Sequence, residues 1–135
     1  MKKELLKKAV ILGQRLGHVF ISTADAKSLP HLTVAARINL TPGGKLTVSS
    51  WFCPGTVANL KVNPYVGVIV WDRDTDMGYQ ILGKSEKVKE LAMLDGFVPK
   101  IEKKMHLPQV ERELVIDVRK VLVFKQVPHS DLEEP

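Results

Sequence analysis

The sequence holds a single cysteine, Cys53, among 135 residues. An internal disulfide and a cysteine-built metal cluster are therefore excluded. Aromatic residues are scarce, with two tryptophans, two tyrosines and four phenylalanines. They are not interleaved with basic residues, as a groove for single-stranded nucleic acid would need. No apolar run approaches the length that spans a bilayer. The N-terminus, MKKELLKKAVILGQRLG, begins with lysines and continues with apolar residues, but Glu4, Lys7 and Lys8 interrupt it and no small-residue cleavage site follows. It does not read as a secretory signal, and a cytoplasmic protein is expected. Repeats, linkers and low-complexity segments are also missing. So are a P-loop, a nucleophile elbow and an HExxH motif. His18, His31, His106 and His129 lack metal-ligand spacing. The carboxylates of DRDTD (72–76) fall in a turn, where solvated charges are expected.

What is present suits one globular domain. Hydrophobic residues make up 44% and charged residues 26%, ordinary values for a chain with one core. The formal net charge is +5, but the lysines are dispersed. A solvated basic surface is the expectation, and a phosphorylated small molecule would need only a few of these charges.

Leu5, Ala9, Leu12 and Leu16 recur at helical spacing opposite Lys3, Lys7 and Gln14. Residues 2–15 are thus predicted to form an amphipathic helix packed on a core, with Gly13 and Gly17 marking its end. HVFISTAD (18–25) reads as a strand. Over 30–40, Leu32, Val34, Ala36, Ile38 and Leu40 face one way and Thr33, Ala35, Arg37 and Asn39 the other. TPGG (41–44) turns the chain into KLTVSSWF (45–52) as a hairpin partner. YVGVIVW (65–71) is apolar on both faces and so central, and YQILGKSEKV (79–88) follows. Residues 93–105 are predicted as a second helix, weakened by Pro99. The last strand, 113–127, changes the phase of its inward set between Val118 and Val121, which predicts a β-bulge near Arg119 and Lys120. The tail, 128–135, is polar. These elements predict a mainly β domain with flanking helices, a six-stranded, mostly antiparallel closed or nearly closed barrel.

The stretch SWFCPGTVANLKVNP (50–64) interrupts that β pattern with a short helix. Pro54 suits a first helical turn, Gly55 permits close approach to the backbone, Thr56 can cap or donate its hydroxyl, and Asn63-Pro64 stops the helix. The unpaired amides of a helix start are partially positive, and a phosphate there is a common partner. Simple capping by Thr56 is the competing reading. If 30–40 and 45–52 pair through the turn, Arg37 comes beside Ser49 and Trp51, where a guanidinium can grip a phosphate by two donors. Ala35 and Ala36 leave room for a flat ligand, and Ser49 and Ser50 add hydroxyls.

These blocks, LPHLTVAARINL, KLTVSSWFCPGTVANLKVNPYVGVIVW and GYQILGKSEKV, resemble the flavin-binding split barrels. That group contains pyridoxamine 5'-phosphate oxidase and the small bacterial FMN-binding proteins. The resemblance runs over most of the chain and implies a six-stranded split barrel, a homodimer, and FMN in each of two clefts between subunits. It implies that Arg37, Thr56 and the Gly55 backbone hold the phosphate, and that Ser49, Ser50 and Trp51 run along the phosphate, ribityl chain or ring. Thr33, Val34, Ala35 and Ala36 would border the isoalloxazine, and Lys84 would reach across the interface, against a plain solvent-facing role. Oxidases of pyridoxal vitamers carry a serine-arginine-lysine cluster where this chain has Pro54, Gly55 and Thr56, and a C-terminal arginine-histidine element that this tail lacks. An FMN-dependent oxidoreductase that is not pyridoxamine 5'-phosphate oxidase itself is the expectation. A nicotinamide cofactor, a second flavin or a redox protein would be its partner. A deazaflavin or haem in place of FMN is one alternative. A basic barrel binding single-stranded nucleic acid through Trp51, Phe52 and Tyr65 is another. Cys53, beside the proposed site, is either redox-active or simply buried.

Overall fold

The computed structural model describes residues 3–95, 108–128 and 130. In chain order the elements are α1 (Lys3–Leu16), β1 (Val19–Ala24), β2 (Pro30–Ala35), β3 (Arg37–Leu40), β4 (Leu46–Trp51), α2 (Pro54–Val62), β5 (Tyr65–Asp72), β6 (Met77–Asp95) and β7 (Pro108–Val123). The strands form one antiparallel sheet in the order β2-β1-β5-β6-β7-β4-β3. The class is the predicted one, mainly β with flanking helices in a split-barrel arrangement. The strand count is seven, not six, because the segment 30–40 is two strands and not one.

That difference has a clear physical origin. Residues 30–35 pair with β1, whereas 37–40 pair with β4. Ala36 is the bend between them, and its amide donates to the Ser50 carbonyl at 3.3 Å. The two edges of the sheet are therefore consecutive pieces of one chain. The sheet curls on itself and leaves little free edge. The bend also resets the side-chain alternation. Ala35 and Ile38 are both buried, while Leu32 and Val34 are 60% and 56% exposed. The alternation puts Leu32, Val34 and Ile38 on one face of a single strand, yet of the three only Ile38 is buried.

β4 answers the bend with a bulge of its own. Ser49 pairs with Glu113 and Trp51 with Arg112, so Ser50 is the extra residue. It adopts φ 60°, a left-handed conformation that costs a serine on the order of 1 kcal/mol. A second bulge lies where the phase change of β7 predicted it. Leu82 pairs with Lys120 and Gly83 with Val118, which leaves Arg119 unpaired. At Gly83 a side chain would overlap the Asp117 carbonyl oxygen, so the two backbones approach as only glycine allows.

The core is the barrel interior, filled by Val19, Ile21, Ile38, Leu46, Val48, Trp51, Val68, Val70, Ile81, Leu114 and Ile116. α1 plugs it by burying Leu5, Leu6, Ala9, Val10 and Leu12, a wider stripe than the predicted one. Gly13 does not end this helix. It is the contact point with β3, where a Cβ would meet Ile38 Cγ2 at 2.7 Å. The helix ends at Gly17, whose amide donates to the Gly13 carbonyl at 3.0 Å.

The predicted helix at 93–105 is corrected in part. Residues 93–95 continue β6, and the remainder lies outside the described residues, as does most of the tail. The carboxylates of the 72–76 turn are not merely solvated. Asp72 is buried and accepts from Arg15 Nη2 at 2.9 Å and Thr75 Oγ1 at 3.1 Å. Arg15, with the Asp74 amide and Thr75, holds its carboxyl below the usual carboxylate range. Asp76 accepts from the Trp71 indole and from the Gln126 and Val127 amides, and so ties the chain after β7 to the β5–β6 turn. Among the described residues no helix is long and apolar enough to cross a membrane.

Candidate functional site

α2 begins and ends where the sequence predicted, at Pro54 and before Asn63. Its N-cap is Cys53, no side-chain hydrogen bond caps it, and its first turn carries no acidic residue. The positive end of the helix is thus left without a built-in counter-charge. Thr56 does not cap. It points inward, is completely buried, and its hydroxyl has no hydrogen-bond partner. Gly55 is exposed, and a Cβ there would make only ordinary contacts, at 3.7 Å to Cys53 Sγ and 3.8 Å to His31 Nε2.

The residues gathered round this helix start come from β2. His31 and Thr33 share the face of β2 that looks towards α2, and His31 Nε2 lies 3.8 Å from Cys53 Sγ. Burial pushes the Cys53 thiol up. The Thr56 amide and hydroxyl, the Gly55 amide and the Thr33 hydroxyl outweigh that, and the net displacement is downward. Donors converging on a sulfur at a helix N-terminus favour the thiolate. His31 Nδ1 is buried and has no partner. His31 carries no motif of its own, although its position two residues before Thr33 on a strand puts both on one face.

Next to this cluster lies the corner made by the Ala36 bend and the Ser50 bulge. Arg37 pairs in register with Ser49, as the hairpin predicted. Its side chain is exposed and has no carboxylate partner among the described residues. Ser49 is buried, and the Ser50 hydroxyl donates to Glu111 Oε1 at 3.1 Å. Arg112, which belongs to no recognisable motif, donates to the Phe52 and Val110 carbonyls and pins the loop that leads into α2.

Several expected positions fall elsewhere. Trp51 is fully buried and its indole donates to the Val48 carbonyl at 2.9 Å. Its ring belongs to the core and is offered neither to a ribityl chain nor to a nucleic-acid base. Ala35 is likewise buried, while Ala36 is exposed. Val34 sits opposite Phe20 on the outer face of the sheet, away from Cys53. A groove of about 770 Å³ opens on that face, lined by Leu16, Phe20, Leu32, Ile69, Trp71 and Phe124. Lys84 is exposed on β6, between Tyr65 and Asp117, three strands from Arg37 in the sheet order. Within one subunit the two cations are not brought together. Among the described residues no cluster of three or more histidine, cysteine or acidic side chains could hold a metal ion.

The family model for pyridoxamine 5'-phosphate oxidase matches residues 7–125. The chain belongs to that family. Solved structures with the same fold include HupZ of Group A Streptococcus, 16% identical over 93% of this chain and 97% of that one, with a TM-score of 0.63. An FMN-binding protein of Syntrophomonas wolfei is 19% identical over 93% and 89%, with a TM-score of 0.61. HutZ, the heme storage protein of Vibrio cholerae, is 14% identical over 91% and 95%, with a TM-score of 0.54. At these identities the likeness is one of fold. No curated protein matches this member of the pyridoxamine 5'-phosphate oxidase family in sequence.

Proposed function

We propose that this chain binds FMN and serves as an oxidoreductase-type flavoprotein, with the phosphate end of the cofactor at the corner between Arg37 and the start of α2. The observation that carries this reading is Arg37. It is a guanidinium held in register with Ser49, beside a strained bulge, with no carboxylate partner among the described residues. A phosphate accepts from such a fork by two charge-assisted hydrogen bonds. The exposed Gly55 backbone and the uncapped end of α2 supply further donors. The Thr56 hydroxyl is completely buried and does not reach the phosphate itself. Ser49 and Ser50 set the backbone path past the phosphate, and Thr33 and Ala36 border the space beyond it.

Hydride or one-electron transfer is the chemistry that FMN supplies when bound. The chain's part is to bind, orient and exclude water. A second copy completes the enclosure. Phe20, Leu32, Val34 and Ile69 leave an apolar face on β1, β2 and β5 that a partner of the same kind would cover, and Lys84 would enter a cleft from across that contact. A nicotinamide cofactor or a redox protein is the expected exchange partner. A haem or deazaflavin in the same cleft is the second reading, favoured by the shared fold of the heme storage protein HutZ.

The test is spectroscopic. The purified protein should be yellow, or should quench FMN fluorescence on titration. Arg37→Ala should weaken FMN about 10- to 100-fold, the loss of charge-assisted phosphate bonds. Unchanged affinity in that variant removes the phosphate from this corner. A Soret band with no flavin uptake replaces FMN by haem.

A further inference from the structure

Cys53 is half-buried at the N-terminal end of α2, and the groups around its sulfur are arranged for more than packing. The Thr56 hydroxyl beside it is completely buried and forms no hydrogen bond, and it favours the charged form of the thiol. A buried hydroxyl in that condition marks a place where an acceptor belongs. His31, contributed by β2, is the titratable side chain in contact with the sulfur among the described residues, with Nε2 at 3.8 Å. The Gly55 and Thr56 amides and the Thr33 hydroxyl favour the thiolate against the cost of burial. Among the described residues no carboxylate contributes to this set of groups.

We propose that Cys53 is a peroxide-reactive thiol, with Thr56 as the donor to the oxygen it acquires. The thiol proton passes from Sγ to His31 Nε2. The sulfur attacks the terminal oxygen of a hydroperoxide, an S–O bond forms and the O–O bond breaks. Two electrons leave the sulfur and reduce the peroxide. The departing oxygen takes the proton from His31 Nε2 and leaves as water or an alcohol. The oxygen of the resulting sulfenic acid accepts from the Thr56 hydroxyl. The chain has no second cysteine, so the sulfenic acid persists until an external thiol reduces it. The proposal stands on these contacts alone and requires no flavin.

The experiment uses the full chain without added cofactor. Hydrogen peroxide followed by dimedone, read by mass spectrometry, should give one adduct at Cys53, formed roughly tenfold faster than on free cysteine at the same pH. Alkylation by iodoacetamide should rise with pH through an inflection below the value of about 8.5 for a free thiol. Thr56→Val should move the inflection up and slow dimedone capture, and Thr56→Ser should restore both. If the valine variant does not fold, the wild-type inflection and adduct decide alone. An inflection at or above about 8.5, a low inflection without an adduct, or valine and serine variants that both match wild type would each overturn the proposal.

Discussion

Thr56→Val should make the protein more stable and its site worse. Thr56 is completely buried and its hydroxyl has no partner. Valine has nearly the same shape and fills the same space without the polar atom. Burying a hydroxyl with no partner costs about 1–3 kcal/mol, and helix propensity at this position hardly differs between the two residues. The variant should therefore gain about 1–2 kcal/mol where the thiol of Cys53 is protonated. In urea, with a slope of about 2 kcal/mol per M for a domain of this size, the midpoint rises by about 0.5–1 M. The gain should depend on pH, with a definite sign. The folded thiol titrates below its unfolded value. Its stabilising contribution is therefore complete above the unfolded value of about 8.5 and is lost as pH falls through the folded one. The Thr56 hydroxyl supplies part of that contribution, so the advantage of valine should be largest at about pH 6 and shrink by about pH 9.5. Paired urea melts at the two pH values are the assay. A variant less stable than wild type at the lower pH would mean the hydroxyl is bonded after all. A gain that ignores pH would mean it does not meet the thiolate.

Gly83→Ala should destabilise by about 1–3 kcal/mol, because its Cβ would overlap the Asp117 carbonyl oxygen at the β7 bulge and backbone cannot rotate aside. A midpoint and slope equal to wild type in urea would refute the contact. Arg15→Ala should flatten the acid limb of the stability profile. The Asp72 carboxyl titrates below its unfolded value, so its contribution is present above about pH 4 and is lost as pH falls through the folded value. Thermal melts across that window check it, and identical profiles would count against the ion pair. Val34→Lys, on the exposed face opposite Phe20, should give a folded monomer if a second copy covers that face. Light scattering that returns the wild-type mass would place the contact elsewhere.

Elements with strong local chemistry were legible in the sequence. The proline and asparagine that bracket α2, the glycine that ends α1 and the phase shift in β7 each act through near neighbours, and each was found where expected. The pairing of Arg37 with Ser49 followed from a short turn that fixes register. What was hidden depends on partners remote in sequence. Unbroken alternation over 30–40 concealed the Ala36 bend, because the bend is imposed by β1 on one side and β4 on the other. Only the family resemblance assigns Trp51 to the ligand. The Ser50 bulge turns it inward, and a serine in a left-handed conformation leaves no sequence mark. β6 runs on to Asp95 through a charged stretch with weak alternation, held by its long pairing with β7. The contact between His31 and Cys53 joins β2 to α2 and has no local signature at all.

The seam at Ala36 gives the molecule a clasp. One continuous run of backbone stitches both borders of the wall, so a break there would uncurl it, whereas extra residues between Thr41 and Gly44 would only lengthen a hairpin tip. Arg37 is the first residue past the stitch and Ala35 the last before it. A guest molecule gripped at this spot would draw the two halves together and tighten the whole cylinder.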